Sequence, residues 1–150
     1  AIKYANTISG QVITINPEMI ENASQNPDFA EIINSAELVI PDGIGVEIGL
    51  KILGYNVRRI AGIEFSHRMI EECAKSSQSV ALVGAKPQIV EKAKENLEEE
   101  IENINIVYVQ DGYFQDDDRV LEELKQVSPR LVLVALGSPK QEKFINKAIF

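Results

Sequence analysis

Three polar side chains stand where two apolar runs stop. In "VITINPEMI" the run from Val12 to Ile15 carries Thr14 and closes on Asn16-Pro17; in "ELVIPDGIG" a second run closes on Pro41, Asp42, Gly43 and Gly45. A carboxylate at a strand end can take up a proton from a bound hydroxyl, or it can simply cap the helix "VEIGLKIL" that follows. Thr14 and Asn16 alternate with Ile13 and Ile15, so both project to one side of the strand; by themselves they read first as a satisfied buried hydroxyl and a turn residue. Gly43 and Gly45 permit positive φ or close backbone approach, which a mere cap does not require twice. In "GSPKQEKF", Ser138 and Pro139 suit a helix start, whereas Lys140 and Gln141 put a cation and an amide in the first turn, where they can hold a phosphate or a sugar hydroxyl. Tyr113 of "DGYF" reads as an anchor after a turn or as core. His67, four residues before Glu71, suits a surface pair and is given no catalytic role.

Positioning these groups falls to an alternation of strands and helices. Five runs rich in Val and Ile, "QVITIN", "ELVIPD", "SVALVG", "INIVYVQDG" and "LVLVALG", are too continuous for half-exposed strands. Helical patterns separate them: "PEMIENASQNPDFAEIINSA", "FSHRMIEECAKS", "PQIVEKAKENLEEEIEN", "DDDRVLEELKQV" and "PKQEKFINKAIF". The order predicts an α/β fold, a Rossmann-like parallel sheet with helices on both faces, in a single domain over residues 1–150. Every unusual residue follows a strand: Asn16, Asp42, Gly84, Gly112 with Tyr113, and Gly137 with Lys140 and Gln141. In open α/β sheets ligands bind at that edge, where helix N-termini present free N–H groups and a positive dipole end.

Composition removes several classes. Acids outnumber bases 23 to 15 for a net charge of -8, the reverse of a nucleic-acid footprint, so no nucleic-acid partner is expected. Cys73 is the single cysteine, which excludes an intrachain disulfide or a Cys-built zinc site and fits a reducing compartment. No apolar run reaches the roughly 18 residues of a membrane span, and Ala1 to Gly10 lacks a signal-peptide layout. "NLEEEIEN" reads as a solvated helix face and "DDD" at 116 to 118 as the start of a helix. Neither is a metal site. The glycines at 43, 45 and 49 do not form the dinucleotide fingerprint, and no Walker sequence, G-x-S-x-G elbow or Cys/His cluster occurs.

Taken in order, "TINPEMI", "LVIPDGIGVEIG", "RRIAGIEF", "VALVGAKPQIVEKA", "DGYF" and "LVLVALGSPKQEKFI" resemble the WecG/TagA/CpsF glycosyltransferase family, most nearly its TagA type, over nearly the whole chain. The resemblance implies transfer of N-acetylmannosamine from UDP-N-acetylmannosamine to a GlcNAc carried on undecaprenyl diphosphate. The product is a β-1,4-linked disaccharide formed with inversion, an early step of wall teichoic acid or related surface polysaccharide synthesis. The uronic acid form of the sugar, or another UDP-hexose, is the alternative donor. By the same resemblance Asp42 is the general base, Thr14 and Asn16 are its polar partners, and Arg59, Gly112, Tyr113 and Gln141 belong to the nucleotide-sugar pocket.

An inverting transfer also requires support for the leaving diphosphate. No Asp-x-Asp pair lies beside a strand end, so helix N-termini after Gly84 and Gly137, with Arg59 or a residue of the family's further C-terminal segment, are expected to supply it without a metal or other cofactor. The resemblance further implies cytoplasmic work at the inner face of the plasma membrane. The membrane would be reached through a basic, apolar C-terminal segment that these residues lack, since the chain starts without Met and ends on a helix still in progress. Homo-oligomerisation stays open. Two other classes use the same fold: an NAD-dependent oxidoreductase, which should show a fingerprint glycine set, and a non-catalytic nucleotide-binding module, which would leave Asp42, Thr14 and Asn16 idle.

Overall fold

In the computed structural model of the chain, residue 5 and residues 9–148 are described. The readings made on Ala1 to Gly10 and on the end of "INKAIF" therefore fall, for residues 1–4, 6–8 and 149–150, outside the described residues. The element order is β1 (Val12–Ile15), α1 (Pro17–Gln25), α2 (Pro27–Ser35), β2 (Leu38–Pro41), α3 (Ile44–Ile52), α4 (Gly62–Lys75), β3 (Ser79–Gly84), α5 (Pro87–Glu100), β4 (Asn105–Gln110), α6 (Asp117–Val127), β5 (Leu131–Ala135) and α7 (Lys140–Ala148). The fold is mixed α/β, with parallel strands flanked by helices.

The five strands are hydrogen-bonded as two ladders. β1 pairs in parallel with β2, Val12 opposite Leu38 and Ile15 opposite Pro41. β3 is the centre of the order β4-β3-β5, also parallel, with a bulge between Val80 and Ala81 where the β4 partner jumps from Ile106 to Tyr108. The chain divides accordingly into two compact units, residues 1–65 with 138–150 and residues 66–137.

In the first unit Ile13 of β1 packs with Met19, Phe29 and Ile33 of α1 and α2, and Ile15, Ala23 and Ala36 close around them. Helix α7 leans on α2 and buries Phe144. The long helical pattern at "PEMIENASQNPDFAEIINSA" is two helices rather than one. Pro27 has no N–H to continue the first and disfavours helical backbone at Asn26, which sits at φ -129° and ψ 95°. Asn16 and Asn26 then act alike: each side-chain oxygen accepts from a backbone N–H three residues on, Met19 at 2.9 Å and Phe29 at 3.2 Å, ahead of a proline at the first helical position.

In the second unit the central strand β3 is buried from Val80 to Gly84, as its continuous apolar run predicts; β4 and β5, each paired on one side only, are half-buried with exposed positions, so the expectation that these runs are too continuous for half-exposed strands does not hold there. Val80 and Leu82 pack with Cys73 of α4 and Val90 of α5, while Ile70, Ala74 and Ile101 form an adjoining cluster. Burying one such side chain contributes about 1.5–3 kcal/mol. Burial also pushes the Cys73 thiol up, which leaves it an inert part of the core. Helix α6 is fastened to β4 by polar contacts: the Tyr108 hydroxyl donates to Glu123 at 2.6 Å, and Arg119 reaches both Glu123 and Gln110.

Candidate functional site

The two broken strands of the first unit terminate against each other. The backbone N–H of Asp42 donates to the carbonyl of Ile15 at 2.8 Å, so the β1–β2 ladder carries Asp42 one step past Pro41 and sets it beside Asn16. The Pro17 ring then lies against the next turn, its Cδ 3.5 Å and its Cγ 3.1 Å from where a Cβ would stand on Gly43 and Gly45. Gly43 adopts φ 94°, a conformation that side chains resist. The glycine pair thus lets one strand end pass close over the other.

Asp42 does not cap its own helix. The residue at the start of α3 is Gly43, and no side chain caps that end. The Asp42 carboxylate turns instead to the start of α4, where the Gly62 backbone N–H donates to Oδ2 at 3.0 Å. Arg59 approaches the other oxygen, Nε to Oδ1 at 3.9 Å, with both side chains partly open to solvent. The loop that brings Arg59 there is held by Ile60, whose N–H donates to the Pro41 carbonyl at 2.9 Å, and by Glu47, which accepts from the Arg59 N–H at 2.9 Å. Hydrogen bonds from Lys51 and then from the Arg59 backbone hold the Glu47 carboxyl below its usual range.

Thr14 completes the cluster. A Cβ built on Gly62 would lie 3.0 Å from the Thr14 hydroxyl oxygen and 3.0 Å from Asp42 Oδ2, so both side chains converge on the bare backbone of Gly62. Asn16 is next to them, its oxygen accepting from the Met19 N–H and its amide nitrogen left to donate to a ligand. Gly62 was not singled out in the sequence. Its signal lies in "AGIEF", a glycine at the first position of a helix where it serves no turn.

Lys140 and Gln141 open α7 in the same unit. The Gln141 amide donates to Oε1 of Glu142 at 2.9 Å. Glu142 is buried, as is Gln11, whose amide donates to the Glu142 carbonyl at 3.4 Å. Oε2 of Glu142 and Oε1 of Gln11 have no hydrogen-bond partner among the described residues. The buried carboxylate behind Gln141 is a second feature that sequence reasoning passed over, because a glutamate in a helix's first turn ordinarily faces solvent.

The second unit gathers Gly84, Gly112, Tyr113 and Gly137 around the carboxyl ends of its own strands. Gly84 has φ 123°, and a Cβ there would collide with the Ala135 backbone of β5, so strand packing alone accounts for this glycine. The Ala85 N–H donates to the Ala135 carbonyl at 2.9 Å, and the Gly112 N–H to the Ala85 carbonyl at 2.8 Å. Gly137 takes φ 78°. Tyr113 is exposed, its N–H donating to Asp111 Oδ1 at 2.8 Å, while Phe114 is the buried anchor of "DGYF". The core alternative for Tyr113 is thereby removed.

The remaining candidates take the plain readings. His67 lies between Glu71 at 3.5 Å and Glu100 at 3.3 Å on the surface. Asp116 caps α6 by accepting from the Arg119 N–H at 3.0 Å, and Glu98 pairs with Lys94. Among the described residues no three His, Cys, Asp or Glu side chains converge as metal ligands.

A family model described as the glycosyl transferase WecG/TagA/CpsF family matches residues 2–149. Among curated relatives, the N-acetylglucosaminyldiphosphoundecaprenol N-acetyl-beta-D-mannosaminyltransferase of Bacillus spizizenii is 33% identical over 137 residues, covering 91% of this chain and 53% of the relative. The protein of the same name from Bacillus subtilis is 32% identical over 140 residues, covering 93% and 55%. The chain spans about half the length of the curated relatives it matches. The Thr14 to Asn16 strand end, the Asp42 turn, the "RRIAGIEF" loop and the "GSPKQE" helix start all fall inside the matched span, and the chain belongs to the glycosyl transferase WecG/TagA/CpsF family.

Proposed function

We propose that this chain carries the base-bearing part of an inverting glycosyltransferase that moves N-acetylmannosamine from UDP to the GlcNAc of a polyprenyl-diphosphate lipid. The observation that carries the reading is the Asp42 carboxylate, held by the Gly62 N–H at 3.0 Å and flanked by Thr14 and Arg59 at the carboxyl ends of two paired strands. Similarity along the chain to relatives named for this transfer supports it.

In the proposed step an acceptor hydroxyl attacks the anomeric carbon from the face opposite UDP. Asp42 takes the hydroxyl proton as the new C–O bond forms and the bond to the diphosphate oxygen breaks, which inverts the centre. The Gly62 N–H and Arg59 fix the carboxylate's direction, so it needs no reorganisation in the transition state. Thr14 and the Asn16 amide nitrogen orient the acceptor. Arg59, Lys140 and the helix start that carries Gln141 meet the charge that develops on the leaving diphosphate. No metal enters this scheme. The uronic acid form of the sugar fits the same chemistry with a different donor pocket. No helix of the described residues is long and apolar enough to cross a membrane; the enzyme is placed at the membrane surface by its lipid acceptor.

Replacing Asp42 by Asn tests the assignment. The amide keeps the volume and accepts from Gly62, but it has no useful basicity. The variant should fold, keep its UDP-induced rise in melting temperature, and lose at least about two orders of magnitude in kcat. Near-wild-type turnover would remove Asp42 as the base. A melting shift with NAD or an adenine nucleotide in place of UDP would point to the oxidoreductase or the nucleotide-binding module.

A further inference from the structure

Helix α3 and the loop after it turn their apolar side chains outward. Ile44, Ile48 and Ile52 recur every fourth residue and so share one face of the helix, yet this face is open to solvent, with Ile52 80% exposed. Leu53 at 72%, Tyr55 in the following loop and Ile63 at 85% in the first turn of α4 are exposed as well. Scattered exposed apolar residues are ordinary, but a contiguous group is the mark of a surface that something covers. The same segment departs from the chain in charge. Between Ile44 and Ile63 it holds Lys51, Arg58 and Arg59 against the single acid Glu47, a local +2 within a chain of net -8. Glu47 is engaged by Lys51 at 2.6 Å and by the Arg59 N–H.

We propose that this face docks on an anionic lipid bilayer. The inference rests on the functional reading above, which makes the acceptor a lipid diphosphate. Such an acceptor holds its sugar only a diphosphate away from the bilayer, so a base that takes its proton must sit on a rim that touches the membrane. Asp42 is two residues before Ile44, and Arg59 lies 3.9 Å from it. The rim beside the carboxylate is thus the apolar and basic surface of α3 and its loop. Isoleucine and leucine side chains enter the boundary between headgroups and acyl chains, Tyr55 suits the interface, and the cations lie at the level of the lipid phosphates. The family resemblance implies a membrane contact through a segment outside these residues; the proposed contact surface lies within them.

Sedimentation with vesicles tests the docking. The chain should pellet with vesicles of phosphatidylcholine mixed with phosphatidylglycerol, less with phosphatidylcholine alone, and less as salt rises. The double variant Ile48→Glu, Ile52→Glu changes only exposed positions and should keep its melting temperature and its UDP-induced shift while vesicle partitioning falls at least roughly tenfold. No pelleting with the anionic vesicles, or pelleting unchanged in the double variant, overturns the proposal. A solution dimer that the double variant dissociates, without vesicle binding by either form, assigns the face to a second copy instead and overturns it as well. Vesicle binding with no UDP shift would leave the docking surface standing and count against the transferase reading, so the two failures are distinguishable.

Discussion

Gly62 lies at the centre of the cluster although it has no side chain to offer. Its N–H directs the Asp42 carboxylate, and the space where a Cβ would stand is shared by Asp42 and Thr14, each 3.0 Å away. Gly62→Ala therefore sets two effects against each other. Alanine favours a helix over glycine by up to about 1 kcal/mol, and the added methyl crowds the site at a cost of about 1–3 kcal/mol. The net change in stability should be small, because the neighbours are side chains at a partly open edge. The carboxylate, however, must move by a few tenths of an ångström or swing away, and catalysis is far less tolerant of displacement than folding. We expect kcat for sugar transfer to fall at least about tenfold while the melting temperature changes by no more than a few degrees. Unchanged kcat would mean that Asp42 need not be held where Gly62 holds it.

Among the elements, α6 shows how a helix is fixed to a strand by a polar contact that titrates. Burial, followed by the hydrogen bond to Glu123, pushes the Tyr108 hydroxyl well above its ordinary value of 10.0. The Glu123 carboxyl is held below its ordinary 4.5 by the hydrogen bond from Tyr108 and then by the one from Arg119. A raised tyrosine value means that its contribution is fully present below about pH 10 and is lost as pH rises through the folded value. A lowered carboxyl value means the reverse: the contribution is present above about pH 4.5 and is lost on acidification. Tyr108→Phe should lower the melting temperature at neutral pH by roughly a few degrees and flatten the alkaline loss of stability expected of the wild type above about pH 10. Melting curves of the two proteins across the alkaline range decide this; parallel curves would remove the Tyr108–Glu123 contact as a stabilising element.

At the scale of the whole molecule, the proposed transfer requires a chain of net charge -8 to receive a diphosphate leaving group. Two means of neutralisation compete: a divalent cation, or fixed donors from helix starts and basic side chains. Arg59 stands beside Asp42 and Lys140 opens α7 next to Gln141, and the proposed function assigns the diphosphate to these fixed donors. Transfer from UDP-N-acetylmannosamine should accordingly survive EDTA with little change in rate. A loss that Mg²⁺ restores would show that the charge is met by a metal instead.

Local physics made much of this legible in the sequence. Continuous Val and Ile runs mark strands, although of the described strands β3 alone is buried along nearly its whole length while β1, β2, β4 and β5 keep half-buried or exposed positions, and Asn-Pro and Pro-Asp-Gly-x-Gly end them because proline and glycine restrict or free the backbone residue by residue. The parallel α/β class and the gathering of Thr14, Asn16 and Asp42 at strand ends follow from that punctuation. The break of one helical pattern at Asn26-Pro27 was legible in principle, since it is set by two adjacent residues. What folding alone decided involves partners far apart in the chain. The donor to Asp42 is 20 residues on, and Gln11 meets Glu142 across 131; no local propensity encodes either pairing. The sorting of five strands into two ladders depends on which edges meet. The outward face of α3 is of the same kind: periodicity places Ile44, Ile48 and Ile52 on one side of a helix, but whether that side is covered is decided by what the rest of the chain leaves uncovered, and here it was left open.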